Sequence, residues 1–216
     1  MAEQPSEKTR RAPRRGPLTP SAIENFFNFG IELTSRTLYI GSHVSESNDG
    51  AESGVDAKMA EHVSKGLIVC TAADPKAEIT IIMNNIGGDI THGWAIYDAI
   101  THCPCPTTMQ VFGHAMSMGC VVLQAANKRL IAPHANVMIH YGSAILGGSP
   151  EEVGLSFRDW KRNLLKIEDI FFKRIQKQHP DFKRKKLKEL MRKDSYMDAR
   201  EAVALGLADG IIELPS

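Results

Sequence analysis

A serine hydroxyl becomes a nucleophile when a base within hydrogen-bond reach takes its proton and a carboxylate holds that base in the right tautomer. Three positions supply those parts. Ser117 lies in Gly113-His114-Ala115-Met116-Ser117-Met118-Gly119-Cys120-Val121-Val122, where a β-rich run gives way to an apolar helix. A hydroxyl at a helix start sits among unpaired N–H groups and the positive end of the dipole, which stabilise developing negative charge. Serine is also among the best N-cap residues, and most serines before a helix do only that. His140 ends a short apolar run, and Asp194 lies in a turn between two later helices. Upstream, Asn85-Ile86-Gly87-Gly88-Asp89-Ile90 is a tight turn whose paired glycines let the backbone approach a ligand. The N–H groups of Gly88 and Met118 could then bind an oxyanion.

Taken singly, each signal is weak. The chain has eight histidines, and a histidine at a strand end is more often structural than a base. His114, three residues before Ser117, has no obvious orienting carboxylate and ranks below His140, and His134 is a candidate by residue type alone. His102-Cys103-Pro104-Cys105 offers three soft ligands but no second cluster at metal-site spacing, so it reads as a turn with buried thiols and no metal is expected.

The groups meet only if the elements between them place them together. Thr37–Ile40, Ile79–Asn84 and Thr107–Phe112 read as strands, the second β-branched and apolar on both faces as in a buried parallel sheet. Helices are expected at Ser21–Phe27 with Ser21 and Glu24 as a capping box, at Val55–Thr71, at Thr91–Thr101, and from Ser117 to about Asn127. The β-α-β-α order argues for an α/β fold with a parallel sheet, helices on its faces and ligands at the carboxyl ends of the strands. Short strands follow at Arg129–Ala132 and Asn136–His140, then a Gly/Ser-rich extended segment from Tyr141 to Pro150 with room for a ligand strand.

From Glu151 to about Gln178, Val153, Phe157, Trp160, Leu164, Ile167 and Phe171 recur at helical steps as one apolar stripe. A helix of ~40 Å at 1.5 Å per residue is too long for this domain to cover, so part of it is expected to project and meet another subunit. Asp181–Arg192 reads as a basic, solvated helix capped by Asp181. Asp198 caps a helix over Ala199–Leu207, and Gly210–Leu214 closes as a strand.

With 216 residues the chain fits one domain over residues 21–216 behind a basic, Pro-rich, disordered arm over residues 1–20. A formal net charge of +1 gives no global argument for nucleic acid, so function has to come from a site. Four cysteines without paired spacing, no signal peptide and no apolar run near ~20 residues point to a reduced, cytoplasmic protein that does not enter a membrane.

Asn84-Asn85-Ile86-Gly87-Gly88, Gly113 to Gly119, Val137-Met138-Ile139-His140 and Asp194 to Asp209, in that order, resemble the ClpP family of self-compartmentalised serine peptidases. The likeness runs from about Thr37 to the C-terminus. It implies a ClpP/crotonase-like fold of repeated β-α units with Ser117 as nucleophile, His140 as general base and acid, and Asp194 orienting the histidine. Gly88 and Met118 would donate to the oxyanion, without a cofactor. The helix at about 151–178 would be the handle that joins two heptameric rings into a closed tetradecamer admitting unfolded polypeptides. Tyr141, Gly142 and Ser143 would begin a segment that pairs with substrate as an added strand. A Clp-type AAA+ ATPase is an implied partner.

The sequence also departs from that family. Tyr141-Gly142 stands where the family commonly has Gln-Pro, Asn85-Ile86 where it has Ser-Pro, and the turn between the serine's helix and His140 is shorter. The basic arm replaces the family's axial loop. A viral-type capsid-processing peptidase of the same family, a crotonase-like acyl-thioester enzyme and a catalytically silent scaffold are the alternatives.

Overall fold

The computed structural model describes residues 19–41, 43–44 and 52–213. The expected arm lies outside these residues as far as residue 18, as do residues 45–51, most of the polar, Gly-containing stretch 45–54 that reads as a loop, and the last residue of the closing strand. In chain order the elements are α1 (Pro20–Phe29), β1 (Ile31–Glu32), β2 (Thr37–Gly41), β3 (His43–Val44), β4 (Glu52–Ser53), α2 (Ala57–Ala73), β5 (Ile79–Asn85), α3 (Ile90–Thr101) and β6 (Thr107–Met116). Then come α4 (Met118–Leu123), β7 (Lys128–Ile131), β8 (Asn136–Ile139), α5 (Pro150–Gln178), α6 (Arg184–Met191), β9 (Ser195–Asp198), α7 (Ala199–Leu205) and β10 (Gly210–Ile211).

The main sheet runs β1-β2-β5-β6-β7-β10. From β2 onward the neighbours are parallel, as the β-α order predicts. β5 departs from the expectation of two apolar faces. Ile79, Ile81, Met83 and Asn85 are fully buried, whereas the intervening residues are only half-buried. The buried set joins Met59, Val63 and Leu67 of α2 and Ile96 and Ile100 of α3 in one core, so β5 has a fully packed face and a partly open one.

β6 changes partner along its length. Thr108–Val111 pair with β7, whereas His114–Met116 pair with β8. Between these stretches β6 uses more residues than β5 to pass from the Met83–Val111 pair to the Asn85–Ala115 pair, which is a bulge. Gly113 sits in it at φ +81°, where a Cβ would collide with the Asn84 side chain, and Asn84 Oδ1 accepts the His114 N–H at 3.2 Å. A bulge bends its strand, and this one delivers the end of β6 to β8.

β9, which the sequence leaves as a lead-in to α7, is an antiparallel partner of β8 with Ile139 opposite Ser195. The next residue outward on each strand is His140 on one and Asp194 on the other.

The capping residues differ from expectation in two places. α1 is capped by Thr19, whose Oγ1 accepts the Ala22 N–H at 3.2 Å, with Pro20 opening the helix and Ser21 inside it. α6 starts at Arg184 rather than near Asp181, and its N-cap Lys183 makes no side-chain bond. Asp198 caps α7 through a full capping box with Glu201, as expected.

α5 opens on a capping box of Ser149 and Glu152. Its second half is held by buried Ile167, Phe171 and Ile175, by the Trp94 indole N–H on Asn163 Oδ1 at 3.1 Å, and by Arg174 on the Ala126 carbonyl at 3.2 Å. Its first half leaves Leu155 and Phe157 exposed.

Buried Arg129 on β7 ties the sheet to the C-terminal region. It bonds Gln124 Oε1, the Gly206 carbonyl and both carboxylate oxygens of Asp209. Partial burial raises the Asp209 carboxyl, but the hydrogen bonds and charge of Arg129 outweigh this and hold it below the usual range. A folded value below the unfolded one means that the stabilisation is present above the unfolded value of about 4 and is lost as pH falls. Asp209→Asn should therefore cost roughly 1–3 kcal/mol in urea unfolding at neutral pH, reduced by the partial exposure of the carboxylate, and the gap to wild type should close below about pH 4.

Candidate active site

Ser117 follows the last residue of β6 and precedes the first of α4, at φ +51° and ψ −122°. Few non-glycine residues are found there, and such a conformation costs about 1–3 kcal/mol. Its surroundings hold it. The Ser117 N–H donates to the Met138 carbonyl at 2.9 Å, and the Ser117 carbonyl accepts from Cys120 at 3.0 Å and Val121 at 3.3 Å. Although Ser117 occupies the N-cap position, its side chain makes no capping bond. The hydroxyl instead lies 2.8 Å from His140 Nε2.

The other ring nitrogen, Nδ1, lies 2.8 Å from Asp194 Oδ1. An ionised carboxylate can only accept, so Nδ1 carries the proton and the neutral imidazole presents the Nε2 lone pair to the serine O–H. His140 is largely shielded, whereas the Asp194 side chain is 57% exposed. The structure thus brings together the three side chains singled out in the sequence.

The glycine turn closes on the serine. Gly87 has φ +101°, and a Cβ there would lie 2.6 Å from Ser117 Cβ and 2.9 Å from the Met116 carbonyl. Val55 bridges the turn, donating to the Gly87 carbonyl at 2.6 Å and accepting from the Asp89 N–H at 2.8 Å. This pairing leaves out the Gly88 N–H between them. Met118 opens α4, so its N–H belongs to the set that a helix start leaves without an intrahelical acceptor. Gly88, Ser117, Met118 and His140 line one cavity of about 210 Å³, whose apolar walls include Ile90, Trp160, Ile167 and Phe171.

Tyr141, Gly142 and Ser143 line the same cavity. Tyr141 is half-buried, with its N–H on the Met191 carbonyl at 2.8 Å, while Gly142 and Ser143 are exposed. Residues 141–148 join β8 to α5 outside the sheet. The lower-ranked groups lie elsewhere. His114 is in the β6 bulge and its main chain bonds Asn84. His134 is exposed between β7 and β8, and the His102 ring bonds the Asp98 carbonyl at 2.8 Å. Cys103 and Cys105 pack near the Thr71 hydroxyl.

Sequence reasoning missed Asn85. Fully buried, it accepts the Gly87 N–H at 2.8 Å on Oδ1 and donates through Nδ2 to the Gly41 carbonyl at 3.0 Å, fixing the turn against β2. A buried amide is kept only where it is satisfied, so an Asn ending an apolar strand just before paired glycines was the available signal. Ile167 and Phe171 were read only as part of the apolar helix stripe, yet they also line the cavity.

The Clp protease family model matches residues 49–215, most of the chain. The chain belongs to the Clp protease family. Among relatives, the ATP-dependent Clp protease proteolytic subunit of Deinococcus radiodurans is 32% identical over 161 residues, 74% of this chain and 76% of the relative. ATP-dependent Clp protease proteolytic subunit 3, chloroplastic, of Arabidopsis thaliana is 28% identical over 200 residues, 90% of this chain and 60% of the relative. Subunit 2 of Corynebacterium glutamicum is 27% identical over 184 residues, 84% of each chain. The α/β architecture accords with that membership, and the chain's activity is that of a Clp-type serine endopeptidase.

For a serine endopeptidase the fit between the glycine turn and the serine is a rate term, because donors that stabilise an oxyanion must stand in place beforehand. Gly87→Ala should slow covalent labelling of Ser117 by a fluorophosphonate at least about 100-fold. Circular dichroism and unfolding midpoint, measured alongside, should change far less than the labelling rate.

Proposed function

We propose that this Clp-family peptidase cleaves peptide bonds through Ser117, with His140 as general base and acid and Asp194 as the orienting carboxylate. The observation that carries this is the Ser117 hydroxyl, which forgoes capping its own helix and meets His140 Nε2 at 2.8 Å while Asp194 holds Nδ1. Ser117 Oγ attacks the scissile carbonyl as its proton passes to Nε2, and the carbonyl oxygen takes up negative charge facing the Gly88 and Met118 N–H groups. The imidazolium then gives that proton to the leaving amine, the C–N bond breaks, and an acyl-Ser117 ester remains. Water, deprotonated by the same histidine, then adds to the ester carbonyl, and the imidazolium returns that proton to Ser117 Oγ as the ester C–O bond breaks and the acid leaves. The apolar side of the cavity, formed by Ile90, Trp160, Ile167 and Phe171, suits an apolar side chain before the cleaved bond, and the Tyr141-Gly142-Ser143 segment lies outside the sheet, where it could pair with substrate backbone.

The wider reading is a single domain over residues 21–216, behind the 1–20 arm, in stacked rings of self-copies forming a tetradecameric chamber. Unfolded polypeptides would enter it, delivered by a Clp-type AAA+ ATPase in the cytoplasm. Exposed Leu155, Phe157 and Leu165 on the long helix support self-association, since large apolar side chains left facing water favour a partner surface. Among the described residues no helix is long and apolar enough to cross a membrane. A crotonase-like acyl-thioester reaction would use the glycine turn but has no need of the hydrogen-bonded Ser117–His140 pair.

A fluorophosphonate should label wild-type protein on Ser117 and leave Ser117→Ala unlabelled, with peptide turnover down at least about 10⁴-fold. His140→Ala should lose turnover to a similar degree with its native mass unchanged. Folded, assembled wild-type protein that neither labels nor turns over overturns the reading. In native mass spectrometry the wild type should appear as a large oligomer and Phe157→Asp as smaller species; a wild-type monomer overturns the assembly.

A further inference from the structure

Tyr141 stands between two cavities. One, of about 210 Å³, lies at Ser117 and has Ile90, Trp160, Ile167 and Phe171 on its apolar side, and the other, of about 260 Å³, lies beyond His140 with Arg192 and Lys193 on its wall. Tyr141 lines both. Joined to the base by a single peptide bond, its ring would be free to lean either way unless something held the phenol.

Something does. The phenol O–H donates to Glu168 Oε2 at 2.9 Å, and Glu168 is 2% exposed. The other carboxylate oxygen accepts from Arg184 Nη1 at 3.2 Å and lies 3.9 Å from Lys188 Nζ. Arg184 is itself fixed by Asp169 Oδ1 at 2.9 Å and by the face of Phe172, whose centroid is 4.2 Å from the guanidinium carbon. A carboxylate this buried is tolerated only when its charge is paired and its lone pairs are used. Burial, and then the Glu168 hydrogen bond and charge, push the Tyr141 phenol up to about 12, so it keeps the proton that makes the tether. Glu168 lies between Ile167 and Phe171, which line the cavity at Ser117, so tether and cavity wall share one turn of α5.

We propose that the Tyr141–Glu168–Arg184 chain holds the Tyr141 ring as a fixed wall between these cavities and so sets the largest side chain accepted beneath Ser117. The proposal rests on the peptidase reading above and deepens it to substrate selection. Untethered, the ring can turn toward the Arg192 and Lys193 recess and open the apolar cavity to bulkier residues. Differences of one methylene in an apolar pocket already change kcat/KM by about 10-fold or more, so a moved aromatic wall is measurable.

The test uses full-length assembled protein and two peptide amides that differ only in the residue before the cleaved bond, Trp or Ala. The Trp-to-Ala ratio of kcat/KM, taken on one preparation, is independent of the fraction folded or assembled. In Tyr141→Phe the ratio should rise at least about fivefold over wild type. Glu168→Gln, whose amide oxygen still accepts the phenol hydrogen, should move it less. Where Tyr141→Phe does not assemble, Glu168→Ala, which removes the acceptor, is judged by the same ratio. An unchanged ratio in the assembled variant, with wild-type turnover dependent on Ser117, overturns the wall and leaves the peptidase reading standing. Absence of Ser117-dependent turnover in wild type overturns both.

Discussion

The strained main chain at Ser117 is the constraint on which the rest of the structure depends. A conformation that costs about 1–3 kcal/mol persists only when its neighbours over-determine it, and here they come from three directions. β8 accepts the serine N–H at Met138, the first turn of α4 closes on its carbonyl, and the glycine turn lies so near that any side chain at Gly87 would strike the serine's Cβ. The result is a hydroxyl aimed out of its helix instead of back into it. A serine that caps its helix and a serine turned toward a histidine look alike in the sequence, and they part at this torsion angle.

Most of the path to that angle runs through the β6 bulge. A straight β6 would stay beside β7 throughout, and Ser117 would end away from β8. Because Asn84 occupies the space over Gly113, the strand bends and its last residues take β8 as partner. β8 then pairs with β9 in a register that sets His140 and Asp194 next to each other. Three side chains distant in sequence are thus aligned by one bulge, held by the Asn84 side chain, and one antiparallel ladder of backbone bonds.

This also explains what could be read without coordinates. Ser117, the glycine turn and the strand ending at His140 are local signals, legible from small residues, β-branched runs and element order. Asp194 could be nominated, but how it reaches His140 could not, because Ser195-Tyr196-Met197-Asp198 is too short and mixed to declare a strand and takes its alternating burial from β8. The apolar content of β5 suggested two packed faces, yet composition does not say which neighbours arrive, and one face stays partly open. Capping at α1 went to Thr19 because Pro20 already supplies the helical φ of the first residue, leaving the hydroxyl before it in reach of the free N–H groups. Asn85 and Glu168 were missed for a common reason. Each is a buried polar group that needs a partner folding brings from afar, the Gly41 carbonyl for Asn85 and the Tyr141 phenol for Glu168.

Two carboxylates near His140 serve by opposite means. Asp194 is more than half exposed, and a charge in contact with water holds its partner weakly, through one bond in a high-dielectric setting. Glu168 is buried and bound on both oxygens, and it grips the residue next in sequence to His140. The rigidity of the His140 segment therefore comes more from the Tyr141 side than from the Asp194 side. The Tyr141 N–H on the Met191 carbonyl closes the loop, because Met191 ends α6 three residues before Asp194. The exposed carboxylate is in this way located by main chain that the buried one helps to fix. A solvent-facing aspartate can then hold an imidazole tautomer without itself being enclosed.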